Sequence, residues 1–168
     1  MNLYIVGFMG SGKSYYGSRW AKMHGWQFYD LDVLAEQAAQ LSIADIFLQK
    51  GEPYFRTLEA SILRETKKYT HSIIACGGGT PCYYDNMAWM KQNGQVIFLN
   101  TSIPTIVANV QSQKHLRPLI SQYYTEQLLI YVQQKLAERL PFYVQSNLTI
   151  PEAALEQAHT TIPYFFNY

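Results

Sequence analysis

The chain opens on a constraint. In "LYIVGFMGSGKS" a run of apolar residues gives way within a few positions to three glycines, then to Lys13 and Ser14. The run reads as a strand buried on both faces, and residues 13–25 read as a helix closed by Gly25. A strand that feeds a glycine loop and leaves it as a helix belongs to a layered α/β architecture, in which helices lie back on a parallel sheet.

The loop itself, "GFMGSGKS", fits G-x-x-x-x-G-K-[ST]. In such a loop the backbone N–H groups turn inward and a helix N-terminus follows, which together make a cradle for phosphates. Glycine is needed because side chains would keep the backbone from the phosphate oxygens. Lys13 is placed to reach the β- and γ-phosphates and the Ser14 hydroxyl to ligate magnesium. Gly10, Ser11, Gly12, Lys13, Ser14 and Tyr15 are therefore the candidate ATP-binding residues. The guanine-reading N-K-x-D pattern of a GTPase does not occur, and 168 residues fit one domain, 1–168, rather than a larger ATPase.

Strand-like runs alternate with helical ones along the rest of the chain. "WQFYD", "HSIIACGGG", "QVIFLN" and "SNLTI" read as further strands. Helices are expected over "DVLAEQAAQ", over "LSIADIFLQKG" with Ser42 as N-cap, and over "EPYFRTLEASILRETKKY" with Pro53 in its first turn. Others are expected in "YYDNMAWMKQNG" up to Gly94, in "SIPTIVANVQSQ", in "TEQLLIYVQQKLAER" stopping before Pro141, and in "PEAALEQAHTTI". "KHLRPLISQ" breaks the pattern and reads as a mobile loop, and "PYFFNY" as an aromatic cap.

Composition removes other classes. A net charge of +1 leaves no field for a long polyanion, so no nucleic-acid partner is expected. The 14 tyrosines read as half-buried packing surface. Cys76 and Cys82 have no histidine near them, which argues for incidental thiols in a reducing cytosol rather than metal ligands. Without a basic leader or a run of about 20 apolar residues, the chain reads as cytoplasmic, with no membrane partner.

Three constellations bear on what receives the phosphoryl group. Asp30 and Asp32, in "DLD", follow the second strand, at the sheet edge where α/β ligands gather. One is suited to the metal and one to an acceptor hydroxyl; helix capping is the competing role, for Asp32 above all. Arg56 and Glu59, in "FRTLE", share a helix face; they form either a surface ion pair or a carboxylate clamp in which Glu59 holds Arg56. The triplet Gly77 to Gly79 admits close backbone approach to a ligand.

Together "GFMGSGKS", "FYDLD", "ADIF…GE…FR…LE", "GGG", "RPL" and "ER…PFY" resemble the shikimate kinase family, in its order and near its spacings from residue 1 to about residue 150. The resemblance implies a three-layer P-loop kinase fold with a five-stranded parallel sheet in the order 2-3-1-4-5 and a lid over about 112–124. It implies transfer of the γ-phosphoryl of ATP to the 3-hydroxyl of shikimate, with Mg²⁺ as cofactor; the size of the chain suits a monomer. By similarity, Lys13, Asp32 and Arg117 are catalytic, and Arg117 reaches ATP from the lid. Ser14 and Asp30 hold the metal. Asp32, Arg56, Glu59, Gly78, Gly79 and Arg139 bind the acceptor, the two arginines through its carboxylate.

The chain departs from the family pattern in two places. Tyr15 stands where the family has threonine, and Val110 where it places an arginine that stacks on adenine. The second departure implies weaker stacking, with Lys114 or His115 as substitutes. Another small-metabolite kinase, such as a gluconate kinase, would share the loop and sheet but would not need both arginines. A silent nucleotide sensor would not need Lys13, Asp32 and Arg117 together.

Overall fold

The computed structural model describes residues 1–112, 125–160 and 162. Its sheet holds β1 (Asn2–Val6), β2 (Gln27–Asp30), β3 (Ser72–Ala75), β4 (Gly94–Asn100) and β5 (Leu148–Pro151), all parallel, in the order β2-β3-β1-β4-β5. This is the order that the family resemblance implies. Leu3 of β1 pairs with Ile73 on one side and Gln95 on the other, so β1 is the central strand, and all of it is buried. Side chains alternate across a strand, and the core divides accordingly. Tyr4 and Val6 pack with Ile74, Val96 and Phe98 on one face, and Leu3 and Ile5 with Ile73, Ile97 and Leu99 on the other.

Helices cover both faces: α1 (Lys13–His24), α2 (Leu31–Ala39), α3 (Ile43–Glu65), α4 (Asn86–Asn93), α5 (Ile103–Ser112) and α6 (Thr125–Tyr143). α1 shows what holds them. Gly17 lowers its helix propensity by about 1 kcal/mol, yet a Cβ there would lie 2.8 Å from the Phe28 ring and 3.1 Å from Ile5. The glycine lets α1 lie close on the sheet and bury Trp20 and Ala21. One buried large side chain contributes about 1.5–3 kcal/mol, so packing outweighs propensity. Gly25 ends α1 at φ 68°, and Trp26 N–H closes back on the Ala21 carbonyl at 2.9 Å.

α3 joins two expected helices across a break at Gly51 (φ 82°, ψ 168°), with Ser42 accepting from the Asp45 N–H as its cap and Pro53 in the first turn of the second half. Two expectations are corrected. α6 does not stop before Pro141 but runs through it to Tyr143. Proline costs the ladder one hydrogen bond; Tyr143, fully buried with its ring 5.1 Å from that of Phe98, holds the last turn in place. The final segment, Glu152–Thr160, is 3-10 rather than α-helical. Its buried Leu155 and Ala158 are three apart, and three residues per turn put them on one line facing the sheet.

No described helix is long and apolar enough to cross a membrane. The lid beyond Ser112, with Lys114, His115 and Arg117, lies outside the described residues, as does the aromatic tail.

Candidate active site

Phosphate binding needs amides turned inward, and so needs the loop carbonyls satisfied elsewhere. Lys13 Nζ donates to the Gly7 and Phe8 carbonyls at 2.9 and 2.8 Å. Asn109 Nδ2 donates to the Gly10 carbonyl at 2.8 Å, and Thr101 Oγ1 to that of Ser11 at 3.0 Å. Gly10 and Gly12 take φ of 77° and 90°, which side chains resist. Gly12 is the residue before α1, whose first N–H groups open into the same cleft. That cleft, about 580 Å³, is lined by Gly10, Ser11, Gly12, Lys13, Ser14 and Tyr15 among others.

At the end of β2, Asp30 caps α2: its Oδ1 accepts from the Asp32 N–H at 3.0 Å. The capping role weighed for Asp32 thus falls to its neighbour, and Asp32 lies in the first helical turn rather than on the strand. The other oxygen of Asp30 accepts from Ser14 Oγ at 2.5 Å. A hydroxyl and a carboxylate meeting at the phosphate loop form an all-oxygen donor pair of the kind hard divalent cations prefer. Two protein oxygens fall short of the six an octahedral Mg²⁺ takes, so they fit an ion that brings phosphate and water oxygens with it. Among the described residues no group of three or more His, Cys, Asp or Glu could hold a metal.

The glycine triplet after β3 is where the remaining side chains converge. A Cβ on Gly77 would lie 2.6 Å from Glu59 Oε1 and 2.9 Å from Asp32 Oδ1. On Gly78 it would lie 3.2 Å from Arg139 Nη1, and on Gly79 2.7 Å from both terminal nitrogens of Arg56. Two carboxylates and two guanidiniums therefore close on three residues that have no side chains to obstruct them. The Tyr143 hydroxyl donates to the Gly78 carbonyl at 2.6 Å and pins the triplet from α6. Burial raises this phenol, so it stays protonated and able to donate.

Arg56 and Glu59 do not form a surface pair. Glu59 is 1% exposed; its Oε2 accepts from Arg56 Nη1 at 3.0 Å and its Oε1 from Thr80 Oγ1 at 2.5 Å. Burial alone would lower the Arg56 guanidinium, but Glu59 and Glu52 more than offset this and raise it. Arg139 lies over the Phe8 ring at 5.4 Å from its centroid. Cys76 and Cys82 are free thiols, both pushed up by burial, Cys82 to about 11.

The sequence model of the family described as "Shikimate kinase" matches residues 9–165. The chain belongs to the shikimate kinase family. A shikimate kinase from Parabacteroides distasonis is 33% identical over 147 residues, 88% of this chain and 85% of that protein. The 1.7 Å crystal structure of shikimate kinase from Bacteroides thetaiotaomicron superposes with a TM-score of 0.92 at 28% identity, over 100% of this chain and 99% of that one. Shikimate kinase from Acinetobacter baumannii, solved in complex with shikimate, gives 0.85 at 31% identity, over 98% and 92%.

Within this shikimate kinase fold, Val110 is not among the residues that line the cleft. It is fully buried, and a Cβ on Gly10 would meet its Cγ2 at 2.8 Å, so it supports the loop from beneath. The residue of that turn lining the cleft is Asn109, joined there by Thr105, Glu152 and Leu155. None of these four, nor Thr101, Thr80 or Tyr143, carries a local sequence signal, because each acts on residues far along the chain. Tyr83, whose ring lies against Arg56, is equally silent in the sequence, but Glu52, which also touches Arg56, is not. The spacing Glu52-x-x-x-Arg56 is a legible i,i+4 pair.

Proposed function

We propose that this enzyme transfers the γ-phosphoryl group of ATP to the 3-hydroxyl of shikimate, giving shikimate 3-phosphate and ADP. One observation carries the reading: Arg56, Arg139 and Asp32 close on Gly77 to Gly79 at the sheet edge that also bears the phosphate loop. Two guanidiniums suit a carboxylate on the acceptor, and the carboxylate of Asp32 suits its hydroxyl.

The acceptor oxygen forms a bond to the γ-phosphorus as the bond to the β–γ bridging oxygen breaks, and the hydroxyl proton passes to Asp32. Catalysis of this kind rests on positioning and charge neutralisation. The α1 N-terminus and the loop amides hold the phosphates, and Lys13 neutralises charge on the transferring group. Ser14 and Asp30 would hold Mg²⁺, which when bound offsets phosphate charge. Glu59 orients Arg56, and the Gly78 and Gly79 amides face the acceptor. Arg117, which the family pattern assigns to ATP, lies outside the described residues. We read the protein as a monomeric, single-domain, cytoplasmic enzyme; that every one of these groups comes from one chain of 168 residues supports the first two.

The test is a coupled ADP-release assay with ATP and Mg²⁺, comparing shikimate, gluconate and no acceptor. Saturable turnover with shikimate alone supports the reading. Turnover with gluconate would mean that the arginines serve another acceptor. Silence with every acceptor, despite measurable ATP binding, would point to a nucleotide sensor.

A further inference from the structure

Arg56 is gripped from two sides, and only one of the grips is buried. Its Nη1 donates to Glu59, whose side chain is 1% exposed and fixed by Thr80. Its Nε and Nη2 both donate to one oxygen of Glu52, at 3.1 and 2.9 Å, and the side chain of Glu52 is 48% exposed. The same oxygen accepts from the Tyr83 hydroxyl at 2.8 Å, and the Tyr83 ring centroid lies 4.3 Å from Arg56 Cζ. A guanidinium has five N–H donors. These three bonds leave two, one on each terminal nitrogen, the two atoms that Gly79 approaches most closely. An oxygen shared by Nε and Nη2 sits in the side fork of the guanidinium, so the remaining Nη2 hydrogen points away from Glu52.

Resting on the shikimate reading above, we propose that Glu52, itself held by Tyr83, is a positioning residue for the acceptor carboxylate. It occupies the side fork of Arg56 and turns the terminal N–H groups toward the acceptor without touching the acceptor itself. Glu52 follows Gly51, where the helix breaks, and so stands at the start of the second half, one turn before Arg56 on the same face. Glu59 alone would anchor one nitrogen and leave the guanidinium plane free to rotate about that bond.

The test is steady-state kinetics of wild type, Glu52→Gln and Glu52→Asp with shikimate and, separately, with its uncharged methyl ester. Glu52→Gln should raise the KM for shikimate about tenfold, with kcat and the KM for ATP within about twofold of wild type. Glu52→Asp should recover part of the loss. The ester, which lacks the charge Arg56 reads, should respond equally to wild type and variant. In a double-mutant cycle with Arg56→Lys the two effects should be strongly non-additive. An unchanged or lowered KM for shikimate, an equal change in both KM values, or additivity with Arg56→Lys would each overturn the inference. Absence of wild-type turnover with shikimate would instead overturn the reading beneath it, and the inference with it.

Discussion

At the scale of single residues, Asp30 and Asp32 divide their labour through backbone geometry. Asp30 turns one oxygen to the helix cap and the other to Ser14, while the Asp32 carboxylate faces the glycine triplet. Of the two carboxylates it is that of Asp32 which lies against the triplet, and the proposed reaction gives it the acceptor hydroxyl. Asp32→Asn removes a proton acceptor while preserving shape. It should lower kcat by about 10² to 10⁴ and leave the ATP dissociation constant within about twofold, as read by nucleotide titration alongside turnover. Near-normal turnover in that variant would remove Asp32 from the mechanism. The Ser14–Asp30 pair carries a prediction of its own. With too few protein oxygens for a hydrated Mg²⁺ to exchange into, the ion should bind with the nucleotide. Calorimetry should show heat from Mg²⁺ only when ATP or ADP is present; tight binding to the nucleotide-free protein would contradict this.

At the scale of elements, β4 follows α4 with no residue between them, Asn93 ending the helix and Gly94 opening the strand. A Cβ on Gly94 would lie 2.3 Å from the Asn2 carbonyl oxygen, a backbone atom of the adjacent strand that has nowhere to go. Gly94→Ala should therefore destabilise the fold by about 2 kcal/mol or more, seen as a lower denaturant midpoint with unchanged m. A change within about 0.5 kcal/mol would mean the strands separate easily. α6 makes a milder prediction. Tyr143→Phe keeps the ring against Phe98 but loses the bond to the Gly78 carbonyl, and should cost about 1 kcal/mol. It should also raise the KM for shikimate. An unaltered KM would show that the triplet holds its shape without α6.

These elements also show how far a sequence can be read. The loop, the strands and the glycine caps were legible because each is written in adjacent residues: apolar runs, a glycine at a positive φ, a serine before a helix. Asp30 and Asp32 were legible as a pair, but not in which of them caps, since that is settled by where β2 ends. The path through Pro141 was not legible. A local rule stops a helix there, and only the distant Phe98 and Gly78 overrule it. Val110 shows the same limit: its spacing before "RPL" matches the position where the family places an adenine-stacking arginine, while its side chain is buried in the core. Asn109 and Thr101 support the phosphate loop from 99 and 90 residues further along the chain, respectively, a distance over which no sequence pattern persists.

At the scale of the whole molecule, two carboxyls tie separate parts together and should shape the response to acid. Burial alone would raise Glu52, but hydrogen bonds from Tyr83 and Arg56 bring it below its ordinary range. Glu152 is lowered by hydrogen bonds from Thr105 and Ser102. A group with a depressed folded value stabilises the fold fully above its unfolded value, about 4.3 for glutamate. That contribution is lost as pH falls through the lower folded value. The denaturant midpoint should accordingly decline below about pH 4.3, and less steeply in a Glu52→Gln, Glu152→Gln double variant. An identical slope in the variant would assign the acid loss to other groups.

The order along the chain has a further consequence. Asp30, Asp32, Arg56, Glu59 and the glycine triplet all fall within one unbroken stretch of chain, residues 27–82, and the two strands of that stretch, β2 and β3, lie together on one side of β1 while β4 and β5 lie on the other. The phosphate loop lies before that stretch, and Thr101, Asn109 and Glu152 after it. On the proposed function, the recognition of what is phosphorylated is thus a cassette, inserted between the two ends of a phosphate-donating frame. Of the groups proposed to face the acceptor, only Arg139 reaches the triplet from outside that stretch. Exchanging that cassette between relatives, with position 139 carried along, is the most direct route to a kinase of this architecture with a different acceptor.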